Sequence, residues 1–186
     1  MIIKNKNRII IFPTDTVYGM GCSIYDKESL NQIYNIKKRP LNKPIIILFS
    51  SLEQIKQIGI INEKVKKISN FFWPGPLTLI INSHKKHYQK TQEKKIGIRI
   101  PNHLLALKIL KQKGPMRTTS VNISGEQPLN NYFQIVKEYH NKVNYIYDND
   151  EYISCLNSTI IDITTPNLSL IREGEIPFKI IKKIIS

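Results

Sequence analysis

The sequence has little cysteine and no long apolar run. Only two of its 186 residues are cysteine, and Cys22 and Cys155 form no CxxC pair. We therefore expect free thiols in a reducing cytoplasm rather than a disulfide framework. Apolar runs stop well short of the length that crosses a bilayer, and the start of the chain lacks the apolar region of a signal peptide. These absences predict a cytoplasmic protein with no membrane contact.

Repeats, Gly/Ser linkers and a Walker A sequence are also missing. His84 and His87 stand in a Lys-rich stretch without the cysteine or carboxylate pattern of a metal site. We predict no dedicated metal site and interpret residues 82–95 as a mobile surface loop, a candidate lid. The length suits one domain with a sizeable core, so we predict that residues 1–186 form a single domain.

Acidic residues are half as numerous as basic ones. Lys and Arg total 28 against 14 Asp and Glu, which gives a net charge of +14. Such an excess favours a polyanionic partner such as nucleic acid. The single alanine, Ala106, in a chain heavy in Ile, Lys and Asn indicates a drift in composition that fills the surface with lysine. We take the charge as fair support for an anionic substrate and weak support for RNA contact.

Arginine is the scarce cation in this chain. The five arginines are Arg8, Arg39, Arg99, Arg117 and Arg172. Where lysine is used so freely, an arginine is expected at positions that need a planar, bidentate donor. Four of the five lie in polar segments that stand out on other grounds. Structural pairs between arginine and carboxylate would give the same pattern.

The first of these polar segments follows a short strand. Residues 9–12 are apolar and predict a buried strand, which Pro13 ends. Residues 14–16, Thr-Asp-Thr, then place three oxygen-bearing side chains at its carboxyl end, where open α/β sheets bind ligands. Gly19 and Gly21 would let the backbone approach a ligand closely. A turn in which these side chains satisfy their own backbone explains the segment equally well.

The second polar segment follows a helix that Asp26 caps. Its sequence, KKRPLNKP at residues 37–44, is stiffened by two prolines. Lys37 and Arg39 can therefore converge on one anion, and Lys43 could join them. Cations that complement the dipole of the helix C-terminus would give the same pattern. The prolines and the arginine favour a phosphate clamp.

Two later segments place polar groups on or beside strands. Residues 96–101, IGIRIP, predict a strand in which Arg99 needs an anionic partner, either a buried carboxylate or a substrate carboxylate. We favour the substrate. Residues 118–124 hold five hydroxyl or amide side chains, and Ser120 and Asn122 point the same way if the segment is extended. We favour a substrate-lining loop over a capped turn.

In order and spacing, seven segments resemble the YrdC-like L-threonylcarbamoyladenylate synthase family. They are PTDTVYG, KxRP, FWPGPLT, IRIP, SxNxSG, STIID and LIREG, and they run from about residue 9 to residue 174. The resemblance implies an α/β fold, a YrdC-like single domain with a twisted, open, mixed sheet flanked by helices. It implies a nucleotidyltransferase that takes L-threonine, bicarbonate or CO2, and ATP, and releases pyrophosphate. The product would serve the threonylcarbamoyl modification of adenosine 37 in tRNA.

The resemblance also implies roles for individual residues. The L-threonine site would comprise Thr14, Arg99, Thr118 and Ser158. The ATP site would comprise Lys37, Arg39, Ser120, Asn122 and Arg172. Lys37 and Arg39 are the predicted catalytic residues, Mg²⁺ is expected to arrive with ATP, and the tRNA threonylcarbamoyl transferase machinery is the expected downstream partner.

The chain departs from the family pattern in three ways, and two other functions stay open. Only eight residues precede the first strand, where the family has a helix, and Thr119 stands where many relatives have proline. The linker and extra C-terminal domain of longer members are absent, which suggests the short type. One alternative is a non-catalytic RNA-binding module of the same fold, whose RNA binding would depend on salt and ignore threonine. The other is an enzyme that makes a carbamoyl adenylate from carbamoyl phosphate, as related domains in hydrogenase maturation do.

Overall fold

The computed structural model describes residues 9–149 and 151–185, which form nine strands and seven helices. The strands are β1 (Ile10–Phe12), β2 (Gly19–Ser23), β3 (Ile47–Leu48), β4 (Leu77–Asn82), β5 (Lys95–Arg99), β6 (Met116–Ser120), β7 (Tyr145–Ile146), β8 (Thr159–Asp162) and β9 (Ser169–Arg172). The helices are α1 (Lys27–Lys37), α2 (Leu52–Lys56), α3 (Glu63–Phe72), α4 (Lys85–Thr91), α5 (Leu104–Lys113), α6 (Tyr132–Tyr139) and α7 (Phe178–Ile185).

All nine of these strands join one open sheet in the order β7-β1-β2-β6-β3-β5-β4-β8-β9. The pairs β1/β7, β3/β5 and β4/β8 are parallel, and the other five pairs are antiparallel. Helix α5 packs on one face against β1, β3 and β6. Helices α2, α3 and α7 cover the other face beside β3, β4, β5 and β8, and α1 and α6 cover it beside β1 and β2. The predicted α/β class with a mixed, open sheet flanked by helices is confirmed.

Side-chain caps set the starts of several helices. Asp26 accepts a hydrogen bond from the backbone N–H of Ser29 at 3.0 Å, and Asn62 accepts one from Val65 at 2.9 Å. Ser51 caps α2 in the same way. These acceptors satisfy N–H groups that have no partner inside the helix, which is why short polar residues mark the starts of helices in the sequence.

Two elements were absent from the sequence-based interpretation. Strand β2 has the sequence GMGCS, in which two glycines and no β-branched residue give almost no strand signal. Helix α4 occupies much of the predicted surface loop, so the loop interpretation is wrong for this segment. Its sequence, KKHYQKT, has no apolar periodicity. The buried residue of this helix is a histidine, His87, whose exposure is 0 %.

Arg117 explains why the segment around α4 is ordered. Its guanidinium is buried, pairs with Glu93 and donates to the carbonyls of Ile24 and Ile45 at 3.3 and 3.4 Å. His87 Nε2 lies 3.4 Å from the same carboxylate. Burial lowers the pKa of His87, so its imidazole is neutral near pH 7. Arg117 therefore belongs to a structural pair on the sheet face that α1 and α3 cover.

Replacing Glu93 with alanine should lower the free energy of unfolding by about 2–3 kcal/mol, because a buried guanidinium would lose its counter-charge. The loss is smaller than for a fully buried pair, since the Glu93 side chain is 29 % exposed and solvent screens part of the interaction. Urea unfolding of the variant and the wild type measures this difference. The matched control is Glu63→Ala, which removes an exposed ion pair with Lys66 and should cost less than about 1 kcal/mol. Equal losses in the two variants would contradict a structural role for the Arg117 pair.

Three further predictions concern membrane-spanning helices, the cysteines and the start of the chain. Among residues 9–149 and 151–185, no helix has the length and apolar character needed to cross a membrane. Cys22 is buried, Cys155 is exposed, and both are free thiols. The prediction about a helix before the first strand concerns residues 1–8, and these lie outside the described part of the chain, as does Arg8.

Candidate functional site

Side chains of several strands share the sheet face on which α5 packs. Thr118 of β6 pairs with Gly21, and Met116, two residues earlier on the same face, pairs with Leu48. Leu48 also pairs with Arg99 of β5. Residues directly opposite in a sheet point to the same face, as do alternate residues of one strand. Polar groups from distant parts of the sequence are therefore collected over one face.

This location agrees only in part with the predicted one at the carboxyl ends of strands: Thr14, Arg99 and Ser120 lie at or after such ends, but other pocket residues do not. Strand β6 runs antiparallel to both β2 and β3, so the carboxyl ends of neighbouring strands lie at opposite edges. The rule about carboxyl ends holds for parallel sheets, in which all the strands end on one side. In this mixed sheet the pocket therefore also takes residues from within a strand and from before one, such as Thr118 of β6 and Ser158, which precedes β8.

A pocket over this face contains most of the predicted site residues. Seven of the nine line it: Thr14, Arg39, Arg99, Thr118, Ser120, Ser158 and Arg172. Apolar groups of Val17, Pro44, Leu48 and Ile160 complete part of its wall. The other two predicted residues, Lys37 and Asn122, lie behind Ser120. The pocket is thus cationic and hydroxyl-rich, with an apolar side.

Thr14 makes the local turn that the sequence left open. Its Oγ1 donates to the carbonyl of Val17 at 2.7 Å and accepts from the backbone N–H groups of Thr16 and Val17 at 3.3 Å each. The hydroxyl proton is therefore used within the turn, as in the self-satisfied alternative. Thr14 lines the pocket at the same time, so this turn also forms part of the pocket wall.

The glycines of β2 make room for Thr118, and Gly19 also lines the pocket. A Cβ on Gly19 would lie 2.5 Å from Thr118 Cγ2, and one on Gly21 would lie 2.8 Å from Thr118 Oγ1. Both distances are too short for non-bonded atoms. Thr118 in turn donates through its backbone N–H to Ile46 at 2.9 Å and through Oγ1 to Met116 at 3.1 Å. The glycines therefore leave space on the face of the sheet in which the Thr118 side chain lies above β2.

Arg99 has a protein carboxylate as its ionic partner. It is 4 % exposed and donates from Nη2 to Asp15 Oδ1 at 2.5 Å. Its Nη1 donates to Thr16 Oγ1 at 2.8 Å, and its Nε donates to the Gly75 carbonyl at 3.0 Å. Of the two alternatives, the buried carboxylate is present, although we favoured the substrate. The sequence showed Asp15 and Thr16 as polar, but nothing in it linked them to Arg99.

Arg172 is held beside Ser158. Its Nη2 donates to the carbonyl and the hydroxyl of Ser158 at 2.8 and 3.2 Å, and its Nε donates to the same carbonyl at 3.2 Å. Partial burial lowers the pKa of Arg172, and so do the positive charges of Arg99 and Arg39. Three guanidinium groups thus repel one another across one pocket, and an anion bound between them would relieve that repulsion.

The side chains of Lys37 and Arg39 point in different directions and contact different parts of the protein. Lys37 is 1 % exposed, and its Nζ donates to the Ser120 carbonyl at 2.5 Å and to the carbonyl and Oδ1 of Asn122 at 2.8 Å each. Arg39 donates instead to the carbonyls of Lys43 and Pro44 at 2.9 and 3.0 Å. The two diverge because Lys37 ends α1 pointing inward, and the left-handed residue that follows it reverses the chain.

Ser120 and Asn122 are linked but do not line the pocket together. Strand β6 ends at Ser120, so the extended geometry predicted for both residues stops there. Ser120 Oγ donates to Asn122 Oδ1 at 2.7 Å, and Asn122 Nδ2 donates to the carbonyls of Ile123 and Glu126 at 3.0 and 2.8 Å. Asn122 thus fixes the turn that follows β6. It lies behind Ser120 and is only 8 % exposed.

Known proteins share this fold and much of this sequence. A threonylcarbamoyl-AMP synthase of Pyrococcus abyssi is 31 % identical over 184 residues, which cover 97 % of this chain and 54 % of that protein. The chain thus spans about half the length of that relative. A threonylcarbamoyl-AMP synthase of Coxiella burnetii is 32 % identical over 148 residues, which cover 75 % of this chain and 77 % of that protein.

A solved structure and a family model agree with these relatives. The crystal structure of Pyrococcus abyssi Sua5 complexed with L-threonine superposes with a TM-score of 0.88 at 32 % identity, over 96 % of this chain and 54 % of that one. The model of the Sua5/YciO/YrdC family, described as telomere recombination, matches residues 3–174. The chain therefore belongs to the Sua5/YciO/YrdC family.

Proposed function

We propose that this chain is an L-threonylcarbamoyladenylate synthase. The observation that carries the proposal is the pocket in which Arg39, Arg99 and Arg172 face one space beside the hydroxyl-bearing residues. A cationic pocket of this kind suits a substrate with a carboxylate and another with several phosphates. Its relatives from Pyrococcus and Coxiella carry the name of this activity, and the Pyrococcus protein was crystallised with L-threonine.

The two substrates are assigned to different parts of the pocket. L-Threonine would lie on the side of Arg99, with Thr14, Thr118 and Ser158 around it. ATP, with Mg²⁺ bound to its phosphates as part of the substrate, would lie on the side of Arg39, Ser120 and Arg172. Lys37 and Asn122 would support this second part from behind Ser120, because they do not line the pocket.

The chemistry needs positioning more than covalent help from the protein. The amine of L-threonine attacks CO2, loses a proton and becomes a carbamate. A carbamate oxygen then attacks the α-phosphorus of ATP in line. The bond from that phosphorus to the bridging oxygen breaks, and pyrophosphate leaves with the bond electrons. The products are threonylcarbamoyl-AMP and pyrophosphate, and holding both reactants in one pocket supplies much of the acceleration.

Negative charge increases on the phosphate oxygens as the carbamate attacks. Arg39 and Arg172 are placed to stabilise that charge, because both guanidinium groups line the pocket. Donors fixed in advance are worth more than mobile ones, since they need no reorganisation during the reaction. The hydrogen bonds of Arg172 to Ser158 and of Arg39 to Pro44 fix two such donors.

The product defines the expected partners. Threonylcarbamoyl-AMP is a mixed anhydride of a carbamate and a phosphate, so it must pass promptly to an acceptor before water hydrolyses it. The proposed consumer is the tRNA threonylcarbamoyl transferase machinery, which would place the protein in the cytoplasm. The net charge of +14 is compatible with weak tRNA contact near that step.

The direct test supplies the purified chain with L-threonine, bicarbonate and Mg·ATP. We expect pyrophosphate release that depends on threonine, together with threonylcarbamoyl-AMP detected by mass spectrometry. Reactions without threonine are the first control. Reactions in which carbamoyl phosphate replaces threonine and bicarbonate are the second, and these separate the proposal from carbamoyl-adenylate chemistry.

Two results would contradict the proposal. One is the absence of pyrophosphate release that depends on threonine. The other is tight RNA binding that weakens steeply with salt and ignores threonine, in a protein that consumes no ATP. That second pattern would favour a binding module of the same fold.

A further inference from the structure

The guanidinium of Arg99 is fixed on three sides by the protein. Its Nε–H, one N–H of Nη1 and one N–H of Nη2 are used by Gly75, Thr16 and Asp15. An arginine has five N–H groups. In the part of the chain that the structure describes, two N–H groups of Arg99 therefore have no protein partner, and the residue lines the pocket. Such an arrangement presents the two remaining donors in one fixed orientation.

Of the three groups that accept hydrogen bonds from Arg99, the Asp15 carboxylate is the one with a negative charge. Its side chain is 14 % exposed, and its second oxygen, Oδ2, is buried with no hydrogen-bond partner among the described residues. Asp15 itself does not line the pocket. The carboxylate is therefore directed at Arg99 and not at a ligand. Its backbone is also fixed, because the carbonyl of Asp15 accepts from the N–H of Ser154 at 3.0 Å.

Burying Arg99 without Asp15 would be costly. Desolvation lowers the pKa of Arg99, and the nearby carboxylates of Asp15 and Glu175 act against that change. Of these two carboxylates, Asp15 contacts the guanidinium, whereas Glu175 is exposed and accepts from Ser154 Oγ at 2.6 Å. Charge and contact can therefore be separated by substituting the two carboxylates one at a time.

We propose that Asp15 is a positioning residue, which orients Arg99 so that its two free N–H groups meet the carboxylate of the amino-acid substrate. The inference rests on the proposed function, because it names the group that the fixed guanidinium receives. Asp15 needs no contact with the substrate in this role. Its effect passes through one charge-assisted hydrogen bond, which is about twice as strong as a neutral one.

The experiment measures KM for L-threonine and KM for ATP in pyrophosphate release, with thermal unfolding of each variant. Asp15→Ala should lower kcat/KM for L-threonine on the order of 100-fold, because the guanidinium loses its orientation. Asp15→Asn keeps a neutral acceptor at Oδ1 and should lose only about tenfold. KM for ATP should stay within about twofold in both. The control Glu175→Gln removes a nearby charge without a contact to Arg99 and should leave both KM values unchanged.

The outcomes separate this inference from the proposed function. A wild-type protein that neither binds L-threonine in titration calorimetry nor releases pyrophosphate overturns the proposed function, and this inference with it. A wild type that does both, with Asp15→Asn at the wild-type KM for L-threonine, overturns the inference alone. A merely structural Asp15 would lower the unfolding temperature and kcat while leaving KM unchanged. If Asp15→Ala does not fold, Asp15→Asn against Glu175→Gln decides the question.

Discussion

Replacing Arg39 with alanine should reduce pyrophosphate release at least about 100-fold, the usual cost of removing one fixed donor from a developing negative charge. The loss should appear mainly in kcat, because the charge on the phosphate oxygens increases towards the transition state. The fold should stay intact. Arg39 donates to two loop carbonyls, those of Lys43 and Pro44, where water can replace it, and it also makes a side-chain hydrogen bond with Tyr34. Steady-state kinetics and thermal unfolding of the same preparation measure both effects.

The adjacent residue provides a matched control for Arg39. Lys38 is exposed, does not line the pocket and has φ of 50°, in the left-handed region that asparagine tolerates. Lys38→Asn removes one positive charge from the same turn without strain in the backbone. We expect it to keep kcat within about threefold, since an exposed charge is screened by solvent and salt. Similar losses of kcat in the two variants would mean that the rate depends on the net positive charge of this turn and not on the Arg39 guanidinium itself.

Local sequence signals predicted most of the fold. The start of α1 was marked by Asp26, whose side chain caps the first turn, and Ser51 and Asn62 cap α2 and α3 in the same way. Runs of isoleucine and leucine marked the buried strands, because such strands are apolar on both faces. Strand β2 and helix α4 were missed for a common reason. Their order comes from partners far away in the sequence, Thr118 above the glycines of β2 and the Arg117 pair beside α4.

The sequence predicted which residues form the candidate site, but it did not predict the hydrogen bonds and ion pairs that these residues make. Polar side chains next to buried strands singled out Thr14, Arg39, Arg99 and residues 118–124, and the family resemblance added Ser158 and Arg172 to the predicted site. The seven residues that line the pocket are among these. The sequence could not show that Arg99 already pairs with Asp15, since the two are 84 positions apart. Nor could it show the burial of Lys37. A lysine in a loop sequence usually lies in solvent, and its inward direction depends on where α1 ends against the turn after β6.

Replacing Lys37 with methionine should affect both rate and stability. The ammonium group donates to three oxygens of Ser120 and Asn122, and methionine fills similar space without any donor. Buried acceptors left unpaired cost about 1–3 kcal/mol each. Asn122 Oδ1 keeps Ser120 Oγ as a donor, and removing the ammonium also removes its own cost of burial. We therefore expect the free energy of unfolding to fall by about 2–3 kcal/mol at pH 7. The turn that carries Ser120 would shift, and a displacement of about 1 Å can cost on the order of 100-fold in rate.

The pH dependence of stability gives Lys37 a second signature. Burial, followed by the charge of Arg39, lowers the pKa of Lys37 from 10.5 to about 8. Between these two values the unfolded chain holds a proton that the folded chain has released. The free energy of unfolding therefore rises with pH across this window, by at most about 1.4 kcal/mol per pH unit. Below about pH 8 the lysine is charged in both states and contributes no slope.

Lys37→Met should lose that contribution. Urea unfolding of the wild type and the variant at several pH values from about 7 to 10.5 tests this, because groups that titrate in both proteins cancel in the difference. We expect the stability lost in the variant to grow with pH inside the window. A variant with wild-type stability at every pH and a rate lowered about 100-fold would contradict the positioning role of Lys37. Such a result would mean that its ammonium leaves Ser120 and Asn122 to bind the phosphates, as the KxRP segment first suggested.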